Sequence, residues 1–169
     1  MVRILGLLFV AVLALSACTT VQPQLGTDGK PLPKVYRIRS GDVSKIQFRM
    51  LDSVNTLRQA AGQSPVQFDS QLNAAAATHS RDMSNQNRPW HFGSDGSSPI
   101  DRVRRVGYSG NLVGENISET YENEVETLAA WMDQSDTRRV ILSPQANKMG
   151  FAWSQEENGK LWWTLVMGE

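Results

Sequence analysis

This chain has 169 residues, with 17 Lys and Arg balancing 17 Asp and Glu, and a single cysteine. The neutral balance offers no concentrated basic surface, which excludes nucleic acid as a partner. The lone cysteine, Cys18, excludes an internal disulfide and a thiolate metal cluster, so stability has to come from packing.

Residues 1–17 read as a signal peptide: a cation at Arg3, an apolar run over 4–15, then small residues up to Cys18, too short to finish a membrane span. Leu15, Ser16, Ala17 and Cys18 resemble the lipobox of bacterial lipoproteins. That resemblance implies cleavage before Cys18 and acylation of its sulfur and amine, palmitate being a typical chain. More than one acyl chain is what stable anchoring requires. The expected partner is therefore a lipid bilayer, with the domain facing the periplasm. Thr19 rather than an aspartate follows the cysteine, which under the enterobacterial sorting rule means the outer membrane.

Residues 18–39 hold Pro23, Pro31, Pro33, Gly26 and Gly29 with little apolar periodicity and read as a tether. A flexible chain of that length spans at least about 25 Å. Residues 40–169 are left as one domain of ordinary size with no internal repeat.

Within it, Ile46, Met50, Val54 and Leu57 form the stripe of a helix over 42–61, closed by Gly62. Asp69 is the expected N-cap of a second helix with Leu72, Ala75, Ala76, His79 and Met83 on one face. On that face His79 reads as a core histidine, and the alanines at 74–77 predict close approach to a neighbour. Ser98 as cap, Pro99 in the first turn and Gly107 as stop give a short third helix. A fourth helix is predicted over 123–134 with Val125, Leu128, Ala129 and Met132 inward. Arg102, Arg104, Arg105, Arg138 and Arg139 cluster in sequence and read as solvated helix faces.

Toward the C-terminus the period changes to two. Met149, Phe151 and Trp153 alternate with Gly150 and Ala152; a turn follows; then Leu161, Trp163, Leu165 and Met167 oppose Trp162, Thr164 and Val166. Strands apolar on both faces need cover on both sides. The predicted class is α+β, a three-layer α/β/α sandwich around an antiparallel sheet. Trp131, Trp153, Trp162 and Trp163 are expected in the core, whereas Trp90 sits in a polar loop.

The stretch "LVGENI" places Glu115 and Asn116 inside an apolar run. A carboxylate buried alone costs several kcal/mol or takes up a proton, so Glu115 is either exposed or answered by another residue.

Five segments, "VNTLRQAAGQSPVQFDSQLNAAAATHSRDM", "HFGSDGSSPIDRVRRVGY", "VGENI", "AWMDQSDTRRVILSP" and "KMGFAWS", resemble in that order the bacterial, SCP-like branch of the CAP superfamily. That superfamily is named for cysteine-rich secretory proteins, antigen 5 and pathogenesis-related 1 proteins. The resemblance implies an α/β/α sandwich with a cleft lined by two histidines and two acids. By position it carries His91 and Glu115 into that cleft. Thr137 stands where relatives have the second histidine, and Gln134 where plant and animal relatives have the second glutamate. The expected cleft residues are thus His91, Glu115, Asn116, Trp90, Gln134 and Thr137, with His91 and Glu115 facing each other and Asn116 bonding loop backbone in support.

Some relatives bind a divalent metal such as zinc through the two histidines. Zinc wants three or four N, O or S ligands, so with His91 alone on the motif positions no cofactor is expected. No GxSxG elbow or HExxH motif occurs. A glycosidase would need a second carboxylate about 5 to 9.5 Å from Glu115, for which Asp95, Asp101, Glu119 and Asp133 are near only in sequence. The expectation is a monomeric envelope-binding module for a lipid, glycan or protein. The alternatives are a metal-independent hydrolase of peptidoglycan or peptide, with Glu115 as general base and His91 as acid or orienter, and a purely structural role for the pair.

Overall fold

The computed structural model describes residues 35–169. The expected signal peptide, the lipobox with Cys18 and residues 18–34 of the expected tether lie outside the described residues. Residues 35–39, placed with the tether by their composition, lie on the domain. The Tyr36 hydroxyl donates to Glu124 at 3.0 Å, the Ile38 amide donates to the Gln155 side chain at 3.0 Å, and Gln155 donates back to the Tyr36 carbonyl at 2.7 Å. Burial first, and then Glu124, push the Tyr36 phenol up to about 12, so it remains a donor. Tyr36 and Ile38 also pack on the core, which makes this segment part of the fold.

A 3-10 turn, Ser40–Asp42, leads into helix α1, Val43–Ala60. Its fully inward positions are Ile46, Met50, Val54 and Arg58, with Leu57 only partly covered beside them. Strand β1, Gln67–Phe68, precedes α2, Ser70–Gln86, which starts where the Asp69 carboxylate accepts from the Gln71 and Leu72 amides. The predicted face, Leu72, Ala75, Ala76, His79 and Met83, is buried. Ala75 and Ala76 pack with Ala152 and Val166, and just before them the helix backbone at Leu72 and Asn73 comes so near Gly150 that a Cβ there would run into it. Helix α3, Pro99–Arg105, opens with a reciprocal Ser98 and Asp101 capping box and stops at Gly107, whose φ of +80° favours glycine.

Strand β2, Leu112–Thr120, is followed by α4, Glu124–Asp133, and α5, Ser135–Ile141, then by strands β3, Lys148–Gln155, and β4, Leu161–Gly168. The capping box of Asn123 and Glu126 rotates α4 so that Glu124, Thr127, Leu128 and Trp131 face inward. Val125 and Ala129, expected inside, are exposed. The stripe shifts because buried Glu124 has partners there, the Tyr36 hydroxyl and Arg49.

The sheet order is β1-β3-β4-β2, antiparallel across β3, β4 and β2, with β1 adding a short parallel rung to β3. Register pairs Met149 with Met167, Phe151 with Leu165 and Trp153 with Trp163, all on the face covered by α1, α4 and α5. Ala152 and Val166 face the opposite way, against Leu72 and Ala76 of α2 and Val103 of α3. This is the three-layer α/β/α sandwich that the two-faced apolar strands predict. Trp131, Trp162 and Trp163 are buried in it, and Phe151 stacks on Trp163 with centroids 5.3 Å apart.

Candidate functional site

Strand alternation decides what Glu115 meets. Glu115 pairs in register with Val166 and so shares the α2 and α3 face of the sheet, while Gly114 and Asn116, opposite Met167 and Leu165, share the other. Gly114 is small because α5 lies there: a Cβ on it would come within 2.7 Å of Val140.

On its own face Glu115 is 3% exposed and is answered by three side chains. Arg102 of α3, itself 4% exposed, bridges the carboxylate with one guanidinium nitrogen, Nη2, at 2.9 Å from Oε1 and 2.8 Å from Oε2. Its Nη1 donates to the Ser97 carbonyl at 3.0 Å. Arg102 is therefore no solvated helix residue; Arg104, Arg105, Arg138 and Arg139, grouped with it by sequence, are the exposed ones. His91, half exposed, donates from Nδ1 to Oε1 at 2.9 Å. His79, fully buried, lies with Nε2 at 3.7 Å from the same oxygen and 3.0 Å from the Trp90 carbonyl. Since a carbonyl only accepts, that nitrogen carries the proton, and Nδ1 is buried without a partner among the described residues. His79 is a core histidine, as its helical spacing implies, but it is also a wall of this site.

Burial alone would raise the Glu115 carboxyl. The His91 hydrogen bond, the neighbouring His79 and the Arg102 ion pair outweigh it and hold the group below the usual carboxylate range. Burial also pushes the His79 imidazole below its ordinary value, and the attraction of Glu115 offsets only part of that. At neutral pH the cluster is an ionised carboxylate, a guanidinium and a neutral buried imidazole, with His91 on the rim.

The loop carrying His91 is fixed from three sides. His79 holds the Trp90 carbonyl, and Asp82 accepts from the Ser94 amide at 2.7 Å and hydroxyl at 2.6 Å. The Gly93 amide bonds the Ser97 carbonyl at 2.8 Å. Trp90 packs its ring 5.5 Å from that of exposed Phe92, with the Arg88 guanidinium 3.6 Å above the indole. His91 and Phe92 thus form a rigid, accessible edge.

The other expected cleft residues do not join it. Asn116 donates across the opposite face to the Thr137 carbonyl at 2.9 Å, so it ties β2 to α5 rather than supporting the His91 loop. The Thr137 hydroxyl is engaged by the Trp131 carbonyl at 2.5 Å, and exposed Gln134 sits at the α4–α5 junction. The two faces of one strand separate these residues from Glu115. Of the four acids considered as second carboxylates, three have partners of their own, Asp95 in Ser97 and Arg105, Asp101 in its capping box and Glu119 in Lys160, while Asp133 is exposed at the end of α4. The sequence does carry a signal for Arg102, since Pro99, Arg102, Val103 and Val106 recur at helical spacing on the inward face of α3.

Comparison with known proteins adds family and fold. The family described as "CAP: Cysteine-rich secretory protein family" matches residues 51–167. Protein YkwD of Bacillus subtilis is 30% identical over 127 residues, 75% of this chain; the chain spans about half, 49%, of that protein's length. Among solved structures, an outer surface protein of Borrelia burgdorferi superposes with a TM-score of 0.69 at 16% identity, covering 80% of this chain and 98% of that one. An extracellular SCP-domain protein of Bacillus anthracis gives 0.65 at 20% identity, covering 78% of this chain and 44% of that one. At these identities the structural likeness concerns the fold alone.

Proposed function

Because this chain belongs to the cysteine-rich secretory protein (CAP) family, we propose that it is a lipid-anchored, periplasm-facing protein of the bacterial envelope whose His91 edge binds an envelope lipid, glycan or protein. The observation that carries this is the half-exposed His91 imidazole, fixed through Nδ1 by a buried carboxylate, on a loop that also exposes Phe92. A carboxylate that is buried, ionised and shared with Arg102 is suited to orienting a neighbour. His91 Nε2, with no partner among the described residues, is left for a ligand. The protein acts as a monomer in this reading.

Anchoring rests on the lipobox-like Leu15, Ser16, Ala17 and Cys18. No helix among the described residues is long and apolar enough to cross a membrane, and two relatives are named as outer surface or extracellular proteins. Cells expressing the chain with an alkyne-palmitate label should yield a labelled protein in the outer-membrane fraction. Cys18→Ala should lose the label and leave that fraction; label retained on the variant refutes the anchor.

For the ligand, the full chain is sedimented with purified peptidoglycan sacculi and with vesicles of envelope lipids. His91→Ala, a substitution at a half-exposed site, should fold normally and lose at least tenfold in affinity for whichever surface the parent binds. Equal binding by the variant overturns the assignment.

A hydrolase reading is favoured only by the 2.9 Å contact at Nδ1, and it assigns the roles differently from a Glu115 base. An acid held below its usual range is a weak base, so His91 would take the proton and Glu115 would orient it. Soluble fragments released from the same sacculi by the parent, and not by His91→Ala, would replace the binding reading with this one.

A further inference from the structure

The fold family includes metal-binding members, and the donors here can be tested against that chemistry. Ligands on one tetrahedral zinc, at about 2.0–2.2 Å from the ion, lie roughly 3.3 Å from one another. His91 Nδ1 at 2.9 Å and His79 Nε2 at 3.7 Å from Glu115 Oε1 bracket that separation. Yet every inward donor is taken: His91 Nδ1 carries a proton toward Glu115, His79 Nε2 carries one toward the Trp90 carbonyl, and Arg102 Nη2 covers both carboxylate oxygens. Among the described residues no group of three or more His, Cys, Asp or Glu side chains is disposed to hold a metal ion.

We infer that Arg102 is the resident cation of this site, standing where a divalent ion would have to bind, so that protein charge holds Glu115 and through it His91. The guanidinium is nearly as buried as the carboxylate it bridges and also donates to the Ser97 carbonyl, so swinging out to admit an ion would break three hydrogen bonds at once. Arg102 is in this sense a positioning residue for His91. The inference stands whether or not a ligand docks at His91.

The test is a Zn²⁺ titration of the full chain followed by the ring resonances of His79 and His91 and by thermal unfolding. The parent and Arg102→Lys, which keeps a cation, should show no zinc-dependent change at either ring. In Arg102→Ala, read without zinc, the His91 ring resonances should shift and broaden, because the carboxylate that fixes Nδ1 has lost its bridging cation, and Arg102→Lys should bring them back toward the parent. Where Arg102→Ala does not fold, Arg102→Gln, which keeps length without the charge, replaces it. Zinc at these histidines in the parent, or a folded charge-removing variant whose His91 ring matches the parent, overturns the inference.

Discussion

Arg102→Met should cost about 3–5 kcal/mol at pH 7, because it leaves the 3% exposed Glu115 as a charge inside the protein with only His91 as a direct donor. The loss measures the stranded carboxylate, not the net worth of the pair. Replacing both members, Arg102→Met with Glu115→Leu, should therefore recover most of it, since apolar side chains of similar volume need no desolvated partner. Urea unfolding of the four proteins reads this as a double-mutant cycle. The pH dependence carries a second check. Glu115 has its folded value depressed, so its contribution is complete above its ordinary value of 4.5 and is lost as the pH falls through the lower folded value. His79 is also depressed, by burial, so below its ordinary 6.5 the unfolded chain gains a proton that the folded one refuses. Both groups make the parent acid-labile, beginning near pH 6.5. In Arg102→Met the stranded acid can protonate, so the deficit relative to the parent should narrow below pH 4.5. A deficit under about 1 kcal/mol, or one that does not change with pH, refutes the assignment of Arg102 as the principal partner.

The helices, the hairpin and the layering are legible in the sequence because they are set by local periods and punctuation. Ile46, Met50 and Val54, the Asp69 cap, Pro99 and Gly107 each act within one or two turns of chain. His91 with Glu115 is legible only through the family resemblance, because nothing in their spacing says that a loop and an edge strand meet. What escapes a reading of the sequence is the charged groups inside the protein. Arg102 and Arg58 lie on inward helical stripes, yet their charges read as solvated until the acceptors are known, and Glu115, Ile141 and Ala146 come from other segments. Residues 35–39 pass for tether for the same reason, since Tyr36 is held by Glu124, a partner far along the chain. The placement of Asn116 and Thr137 is different: adjacent residues in a strand face opposite ways, so Glu115 and Asn116 together could not serve one cleft. That conflict is readable in "GEN" itself, and the family motif obscures it.

Arg58 gives the second large effect. It is fully buried, and its guanidinium donates to the carbonyls of Ser64 at 2.8 Å, Ile141 at 2.7 Å, Ser143 at 3.0 Å and Ala146 at 2.8 Å, with no carboxylate among these bonds. The Ile141 carbonyl closes α5, so part of the charge is balanced by the negative end of that helix, and the remainder by the turn running into β3. Burial lowers its pKa from its ordinary value, but a guanidinium stays protonated in proteins. One planar fork thus joins the end of α1 to the α5–β3 connection, and through it to the face of the sheet beneath α1 and α4. Arg58→Ala leaves several buried carbonyls without donors, at about 1–3 kcal/mol for each that water cannot reach, as well as a cavity. The expected loss is at least about 3 kcal/mol in urea unfolding. Arg58→Lys should recover little of it, because a single ammonium at the end of a flexible stem cannot span four acceptors arranged for a fork. A lysine variant as stable as the parent would show that charge alone, without the geometry of the fork, holds this corner together.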